Sequence, residues 1–170
     1  MSEPWTSLYG QVWEDLVRYI DRRIWDPERA QELAQEVFIR AMRERPPPDS
    51  PRAWLFVVAG NLTRDEARRA IRHREKLRLV RAEEKVEAPS PDELLAVQET
   101  RARVKRALES LNARETDALL MVEAGFSYAE IAEATGLSPG AVGTTLSRAR
   151  RKLAAAYAEL EGGEDVRISY

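Results

Sequence analysis

Residues 126–153 read FSYAEIAEATGLSPGAVGTTLSRARRKL, the pattern of two capped helices joined by a tight turn. Ser127 is followed three residues later by Glu130, and this pair predicts a capping box at the start of the first helix. Gly136 predicts its end, because glycine accepts the left-handed conformation of a helix stop, and the Ser-Pro pair at 138–139 predicts the start of the next helix. Two helices joined by so short a turn are typical of a helix-turn-helix.

The second helix of this motif carries its apolar residues on one face. The predicted buried stripe, with members three or four residues apart, is Val142, Leu146, Ala149 and Leu153. The outward face then consists of Gly143, Thr144, Ser147, Arg148 and Arg151. Short side chains near the start of the helix suit base edges and arginines further along suit phosphates, so this face is a candidate DNA-recognition surface. A hairpin in an ordinary helical bundle is the alternative.

The composition excludes several classes of site. Of the 170 residues 44% are hydrophobic, which is enough for packed cores, and no apolar run is long enough to span a membrane. The first ten residues lack the pattern of a signal peptide, so we expect a cytoplasmic protein without membrane insertion. With no cysteine and one histidine, the sequence indicates no disulfide, no metal site and no cofactor.

Charge is distributed unevenly along the chain. The formal net charge is −2, yet residues 50–81 hold nine lysines and arginines against three acids, a net charge of +6. This basic block predicts a nucleic-acid surface, with a solvated helix face as the alternative. Residues 83–99 hold one lysine against six acids, a net charge of −5, and contain prolines. The acidic block predicts a flexible linker that lets the two flanking domains close on each other.

The other segments of the chain also have apolar residues at helical spacing. A first helix has apolar residues from Trp5 to Ile24, and Asp-Pro at 26–27 and Ser-Pro at 50–51 start two more. The residues predicted to face inward are Ala30, Leu33, Ala34, Val37, Phe38, Ala41 and Met42 on the second helix and Ala53, Trp54, Val57, Val58 and Leu62 on the third. Asn112 with Glu115 predicts another capped helix.

These elements predict an all-α protein made of two small helical domains. The first covers residues 1–82 and the second, with the helix-turn-helix, covers residues 100–160. The acidic linker at 83–99 joins them, and a polar tail occupies residues 161–170.

Three segments in order resemble one family, the extracytoplasmic-function group of bacterial RNA polymerase sigma factors, whose members carry a region-two and a region-four domain. The segments are ELAQEVFIRAM at 32–42, AWLFVVAGNLTRDEARR at 53–69 and ALESLNARETDALLMVEAGFSYAEIAEATGLSPGAVGTTLSRARRKL at 107–153. The resemblance implies a promoter-specificity subunit without enzymatic activity that binds core RNA polymerase and directs it to promoter DNA for recognition and melting. Through the same resemblance, an anti-sigma factor or another inhibitory protein is a further expected partner.

The resemblance also implies residue roles. Core-polymerase binding falls on Glu32, Gln35 and Glu36, which share one helix face, although solvent-facing residues of no special role are the alternative. Capture of a flipped minus-ten base falls on Asn61, whose amide can pair with a Watson–Crick edge, although a buried polar group within the domain is the alternative. The arginines that follow it as DNA-binding residues are Arg64, Arg68, Arg69 and Arg72. The recognition surface would read the minus-thirty-five element.

The chain departs from the family pattern in two places. The loop before Trp54 reads ERPPPDSP at 44–51, where the family usually has an aromatic residue and a glycine. Gly143 and Thr145 stand where the family commonly has basic residues, so we expect upstream contacts that are weak or directed at an unusual sequence. A glycine also costs a helix interior about 1 kcal/mol.

Two other functions compete with this interpretation. A free-standing helix-turn-helix regulator would use the C-terminal domain alone, but it gives the acidic helix face and the arginine-rich third helix no role. An enzyme is not indicated, since the sequence shows neither a phosphate-binding glycine loop nor a nucleophile beside a base.

Overall fold

The computed structural model describes residues 3–44, 49–78 and 92–165, and within them every regular element is a helix. The helices are α1 (Glu3–Ile24), α2 (Pro27–Arg43), α3 (Pro51–Arg78), α4 (Asp92–Leu108), α5 (Ala113–Glu123), α6 (Tyr128–Thr135) and α7 (Pro139–Asp165). The predicted all-α class is confirmed. The proline run at 46–48 and residues 83–91 of the predicted linker lie outside the described residues.

Side-chain caps set the helix boundaries where the sequence predicts them. The Asp26 carboxylate accepts the backbone N–H of Arg29 at 3.0 Å. The capping boxes at 112–115 and 127–130 are each formed in both directions. Gly136 ends α6 in the left-handed conformation with φ of 68°. These caps satisfy backbone groups that the first and last helical turns leave without partners.

Two helices extend further than the sequence patterns indicate. Helix α4 begins at Asp92, so residues 92–99 of the predicted linker are helical, and α7 continues through residues 161–165 of the predicted tail. Neither segment has an apolar period, but acidic residues suit a helix start and the alanines at 154–156 have the highest helix propensity. Periodicity detects helices through a buried apolar stripe and gives no signal where a segment has none.

The first domain packs α1 along both α2 and α3. On α2 the predicted stripe is buried except for Met42, which is 40% exposed and follows the exposed Ile39 by three residues. On α3 the predicted inward residues Ala53 and Leu62 are buried, but Trp54, Val57 and Val58 are only half-buried. Leu55, Phe56 and Ala59 are fully buried, although the sequence did not indicate them. Helix α3 is therefore covered on more than one side.

Phe56 shows what covers the second side of α3. Its ring lies 5.1 Å from the Tyr19 ring of α1 and 4.6 Å from the Phe126 ring, which belongs to the turn before α6. Both contacts are edge-to-face, a favourable arrangement of aromatic rings. The buried residues of the two domains consequently form one continuous hydrophobic cluster.

The joint between α1 and α2 also contacts the second domain. Trp25 has a left-handed backbone with φ of 60°, which is uncommon for a bulky residue. Its ring lies 5.6 Å from the guanidinium of Arg22 and 5.3 Å from that of Arg101 on α4. Arg101 also pairs with Asp21 at 2.7 Å. One arginine of the second domain thus reaches two residues of the first.

Within the second domain, helices α4, α5 and α6 pack on α7, whose Val142, Leu146 and Ala149 are fully buried. Glu115 of the α5 capping box accepts both the backbone N–H of Asn112 and the ammonium of Lys152 on α7, the latter at 2.7 Å. The bond from Lys152, and after it the bond from Asn112, lowers the pKa of Glu115. This carboxylate therefore caps one helix and ties it to another.

We expect Glu115→Ala to lower the free energy of unfolding by about 2 kcal/mol and Glu115→Gln by about half as much, because glutamine keeps the reach to the cap but loses the charge. Since folding depresses this pKa, the carboxylate stabilises the protein above its unfolded pKa, and the contribution disappears as pH falls through the folded pKa. The free energy of unfolding, measured with urea, should therefore fall less between pH 7 and pH 4 for Glu115→Gln than for the unsubstituted chain. Glu109→Gln, at an exposed position, is the control. If the two Glu115 variants lose the same stability, Glu115 does not act both as a cap and as the ion-pair partner of Lys152.

Candidate polymerase and nucleic-acid interfaces

The acidic face of α2 points into solvent. Glu32 and Gln35 are exposed, as their spacing predicts, whereas Glu36 is half-buried. Each glutamate pairs with an arginine of its own helix, Glu32 with Arg29 at 2.7 Å and Glu36 with Arg40 at 2.5 Å. Exposed pairs of this kind contribute little to stability, so they can exchange for a partner's charges at small cost.

Arg29 fixes this face relative to α3. While one nitrogen of its guanidinium meets Glu32, its other two donors bind the two oxygens of Glu66 on α3 at 3.0 and 3.1 Å. The hydrogen bond from Arg29 is the main reason that the pKa of Glu66 is lowered. Residues 29 and 66 are too far apart in the sequence for a periodic pattern to pair them, so this two-bond contact could not be predicted.

Two large apolar side chains extend the same face of α2. Ile39 is 44% exposed and Met42 is 40% exposed. Ile39 follows Gln35 by four residues and Met42 follows Ile39 by three, which places all three on one side of the helix. The face is thus acidic and polar at one end and apolar at the other, a combination that the stripe analysis did not reveal.

Asn61 lies on the surface of α3 beside Arg64. Its side chain is exposed, so the alternative of a buried polar group is wrong. The Asn61 carbonyl accepts from Arg64 at 2.8 Å, and Arg64 also donates to the backbone carbonyl of Gly60 at 2.9 Å. These bonds hold the amide in a defined orientation.

The arginines beyond Asn61 form a basic surface on α3. The side chains of Arg68 and Arg69 are each 70% exposed, and Arg72 is exposed as well. The nearest carboxylates are 3.6 Å from Arg68 and 3.9 Å from Arg69, too far for strong hydrogen bonds. These guanidinium groups are available to phosphates.

The recognition surface on α7 is exposed at four of its five predicted residues, namely Thr144, Ser147, Arg148 and Arg151. The fifth, Gly143, is half-buried because Tyr128 of α6 covers it: a Cβ atom at Gly143 would lie 3.6 Å from the Tyr128 ring. Tyr128 itself is 48% exposed at the edge of this surface. Nothing in the sequence indicates that Tyr128 lies there, since the first residue after an N-cap precedes any apolar repeat that would show which way it faces.

Comparison with known proteins covers both domains. The family model of sigma-70 region 2 matches residues 8–73, and that of sigma-70 region 4 matches residues 101–153. The extracytoplasmic-function RNA polymerase sigma factor EcfG of Rhodopseudomonas palustris is 34% identical over 143 residues, which cover 81% of this chain and 76% of that protein. This chain belongs to the extracytoplasmic-function sigma factors. The resemblance stated from the sequence is thereby confirmed.

Other similar proteins agree with this assignment. The extracytoplasmic-function sigma factor SigL of Mycobacterium tuberculosis is 32% identical to this sigma factor over 163 residues, or 91% of this chain and 89% of that protein. The solved structure of the sigma factor RpoE from Bartonella quintana, in complex with the anti-sigma factor NepR, shares the fold with a TM-score of 0.65. It is 23% identical and the match covers 91% of this chain and 96% of that one.

As a sigma factor, the protein acts in transcription initiation with core RNA polymerase and promoter DNA. The α2 face and the basic surface of α3 lie within the region 2 match, and the recognition surface lies within the region 4 match. A regulator that used the helix-turn-helix alone would have no region 2, so that alternative is wrong. In the part of the chain that the structure describes, no group of side chains could hold a metal ion and no helix could cross a membrane.

We expect Gly143→Ala to raise the stability of the second domain by about 0.5–1 kcal/mol, because alanine favours a helix interior and its Cβ would meet Tyr128 at ordinary contact distance. Thermal unfolding followed by circular dichroism measures this gain. Upstream DNA affinity should fall in the same variant if the glycine is there for close approach of a DNA backbone. A loss of stability would show that Tyr128 cannot accommodate the methyl group.

Proposed function

We propose that this sigma factor docks on core RNA polymerase through the outer face of α2, which we call the core-binding face: Glu32, Gln35, Glu36 and Ile39. The observation that carries the proposal is that the large apolar side chain of Ile39 is exposed on the same side of α2 as the exposed Glu32 and Gln35. Arg29 holds this face rigidly on α3, which reduces the ordering that docking requires. An apolar anchor beside exchangeable charges is the composition expected of a specific protein interface.

The minus-ten surface consists of Asn61 and the arginines that follow it on α3. We propose that an extruded base displaces Arg64 from the Asn61 amide, which then pairs with the Watson–Crick edge of the base. Arg64 and the exposed guanidinium groups beyond it contact phosphates of the opened strand. New hydrogen bonds and phosphate contacts offset the free energy of unstacking.

The upstream element is read by the recognition surface of α7. Thr144 and Ser147 lie where a helix entering the major groove presents its first turns to base edges, and Arg148 and Arg151 lie further along, towards the phosphates. Gly143 adds only its backbone to this surface, since the Tyr128 ring covers the side where a Cβ would lie.

Three further aspects of the proposal follow from this role. The protein selects and opens promoters without making or breaking covalent bonds, so it is not an enzyme. It works in the cytoplasm, where bacterial transcription takes place. An anti-sigma factor is a proposed partner because the similar RpoE structure contains one.

Reversing charge on the core-binding face tests the docking assignment. Glu32→Lys with Glu36→Lys should weaken binding to core polymerase at least tenfold, since rim charges and their partners become repulsive. Titration of labelled protein with core polymerase measures the affinity. Glu14→Lys with Asp65→Lys changes the net charge equally at exposed positions of α1 and α3 and should leave the affinity unchanged. The assignment is wrong if the two double variants bind alike while both remain folded.

The two residue classes on the recognition surface should fail differently. Arg148→Ala or Arg151→Ala should weaken binding about equally on all upstream sequences and reduce the salt dependence by about one phosphate contact. Thr144→Ala and Ser147→Ala should instead change which sequences are selected. Holoenzyme binding to a library randomised in the upstream element distinguishes these results. If Thr144→Ala and Ser147→Ala both select the same upstream sequence as the unsubstituted chain, this surface does not read bases.

A further inference from the structure

Two carboxylates lie among the arginines of the minus-ten surface. Asp65 and Glu66 occupy successive positions of α3 between Arg64 and Arg68. A carboxylate beside a guanidinium competes with phosphate for it, because both anions offer oxygens that accept the same charge-assisted hydrogen bonds. The affinity of this surface for DNA therefore depends on where the two carboxylates are held.

The structure holds the two carboxylates differently. The Asp65 side chain is 59% exposed, and its nearest cation is Arg68 of the same helix at 3.6 Å. Glu66 is only 27% exposed, and its two oxygens accept hydrogen bonds from Arg29 of α2 at 3.0 and 3.1 Å. Its distance to Arg69 is 3.9 Å, which is too long for a hydrogen bond. Glu66 is thus bound by a cation from another helix although a cation of the minus-ten surface is close by.

The contact between Arg29 and Glu66 is of the strong kind. Two parallel bonds from one guanidinium to one carboxylate fix its direction as well as its distance. The hydrogen bonds to Glu66, and after them those to Glu32, raise the pKa of Arg29, while the bond from Arg29 lowers the pKa of Glu66. Both groups are therefore charged near neutral pH, and Arg29 cancels the negative charge that Glu66 brings to α3.

Arg69 is the cation that Glu66 would bind if Arg29 were absent. Within the described part of the chain, the ion pairs of Glu66 are made with Arg29 and Arg69. Residues three apart on a helix are neighbours, and a shift of about 1 Å brings this pair within hydrogen-bonding distance. The Arg69 side chain is 70% exposed, so it has room to move. A phosphate would then have to displace Glu66 before it could bind Arg69.

We infer that Arg29 is a positioning residue of the minus-ten surface, which binds Glu66 so that Arg69 stays available to a phosphate of the opened promoter strand. The inference rests on the proposed function, in which Arg69 contacts DNA. Arg29 contributes through Glu66 and not through a DNA contact of its own.

Docking on the polymerase is compatible with this role. The remaining donor of Arg29 reaches Glu32 of the core-binding face at 2.7 Å. When a cation of the polymerase takes Glu32, Arg29 is left with Glu66 as its carboxylate partner among the described residues. The contact that keeps Glu66 from Arg69 therefore persists in the docked protein.

Holoenzyme binding to promoter DNA with a single-stranded minus-ten element tests the inference. Arg29→Gln should weaken binding about fivefold and reduce the salt dependence by about one phosphate contact, because Glu66 then occupies Arg69. Core polymerase is kept at a concentration that saturates each variant, so that a change in docking does not enter the measurement. Arg18→Gln removes the same charge from an exposed position of α1 and should leave the affinity unchanged.

A second substitution separates this role from a structural one. Arg29→Gln with Glu66→Gln has the net charge of the unsubstituted chain, and it should regain both the affinity and the salt dependence. If the pair served only to tie α2 to α3, the double variant would lack both partners and would bind no better than Arg29→Gln. Circular dichroism reports whether each variant folds.

The dependence on Arg69 is tested in the same assay. Arg69→Ala should weaken binding by a similar factor, and adding Arg29→Gln should weaken it little further, because the cation that Glu66 would occupy is already gone. Such non-additivity is expected only of residues that act on the same contact.

Three results would overturn the inference. One is a loss in Arg29→Gln that Glu66→Gln does not reverse in the folded double variant. Another is full affinity in Arg29→Gln while Arg69→Ala binds weakly. If Arg69→Ala itself binds as the unsubstituted chain does, the phosphate role of Arg69 is wrong and the inference falls with it. Failure of the docking assignment would appear separately, in the titration of the Glu32 and Glu36 variants with core polymerase.

Discussion

The packing of α3 on two sides is the constraint on which the arrangement of this sigma factor depends. Phe56 is 1% exposed because Tyr19 covers one edge of its ring and Phe126 covers another. Without the second domain this ring would be open to water, and burying a phenylalanine contributes about 2–3 kcal/mol. One aromatic side chain thus makes region 2 and region 4 share a core.

Local chemistry explains why so much of the fold was predictable. Caps at Asp26, Asn112, Ser127 and Gly136 are determined by a few neighbouring residues, and each was located from the sequence alone. The stripe on α7 was likewise correct at Val142, Leu146 and Ala149, while Leu153 is half-buried, because a helix buried on one side has an unambiguous period. The extra buried residues of α3 were missed for the same physical reason, since a helix covered on two sides no longer shows a single stripe.

For the candidate surfaces too, the sequence predicted exposure but not the contacts that orient the side chains. Spacing alone placed Glu32, Gln35 and the hydroxyl and arginine residues of α7 on exposed faces, where the structure has them. What orients them depends on residues distant in sequence: Arg29 reaches Glu66, Lys152 reaches Glu115, and Arg23 reaches Asp117. The charge pattern along one helix does not indicate such partners, because they lie on other helices and come within reach only once the helices have packed.

Trp25 has a consequence for how this protein can be observed. Its ring lies near both Arg22 of α1 and Arg101 of the second domain, whereas the ring contacts of the other three tryptophans are made within the first domain, Trp5 with Trp54 and Trp13 with Phe38. Separation of the domains would remove Arg101, one of the two cations, from the Trp25 ring. The emission of a native indole therefore carries a built-in optical signal of domain movement, readable in the unlabelled chain by comparing it with a Trp25→Phe variant.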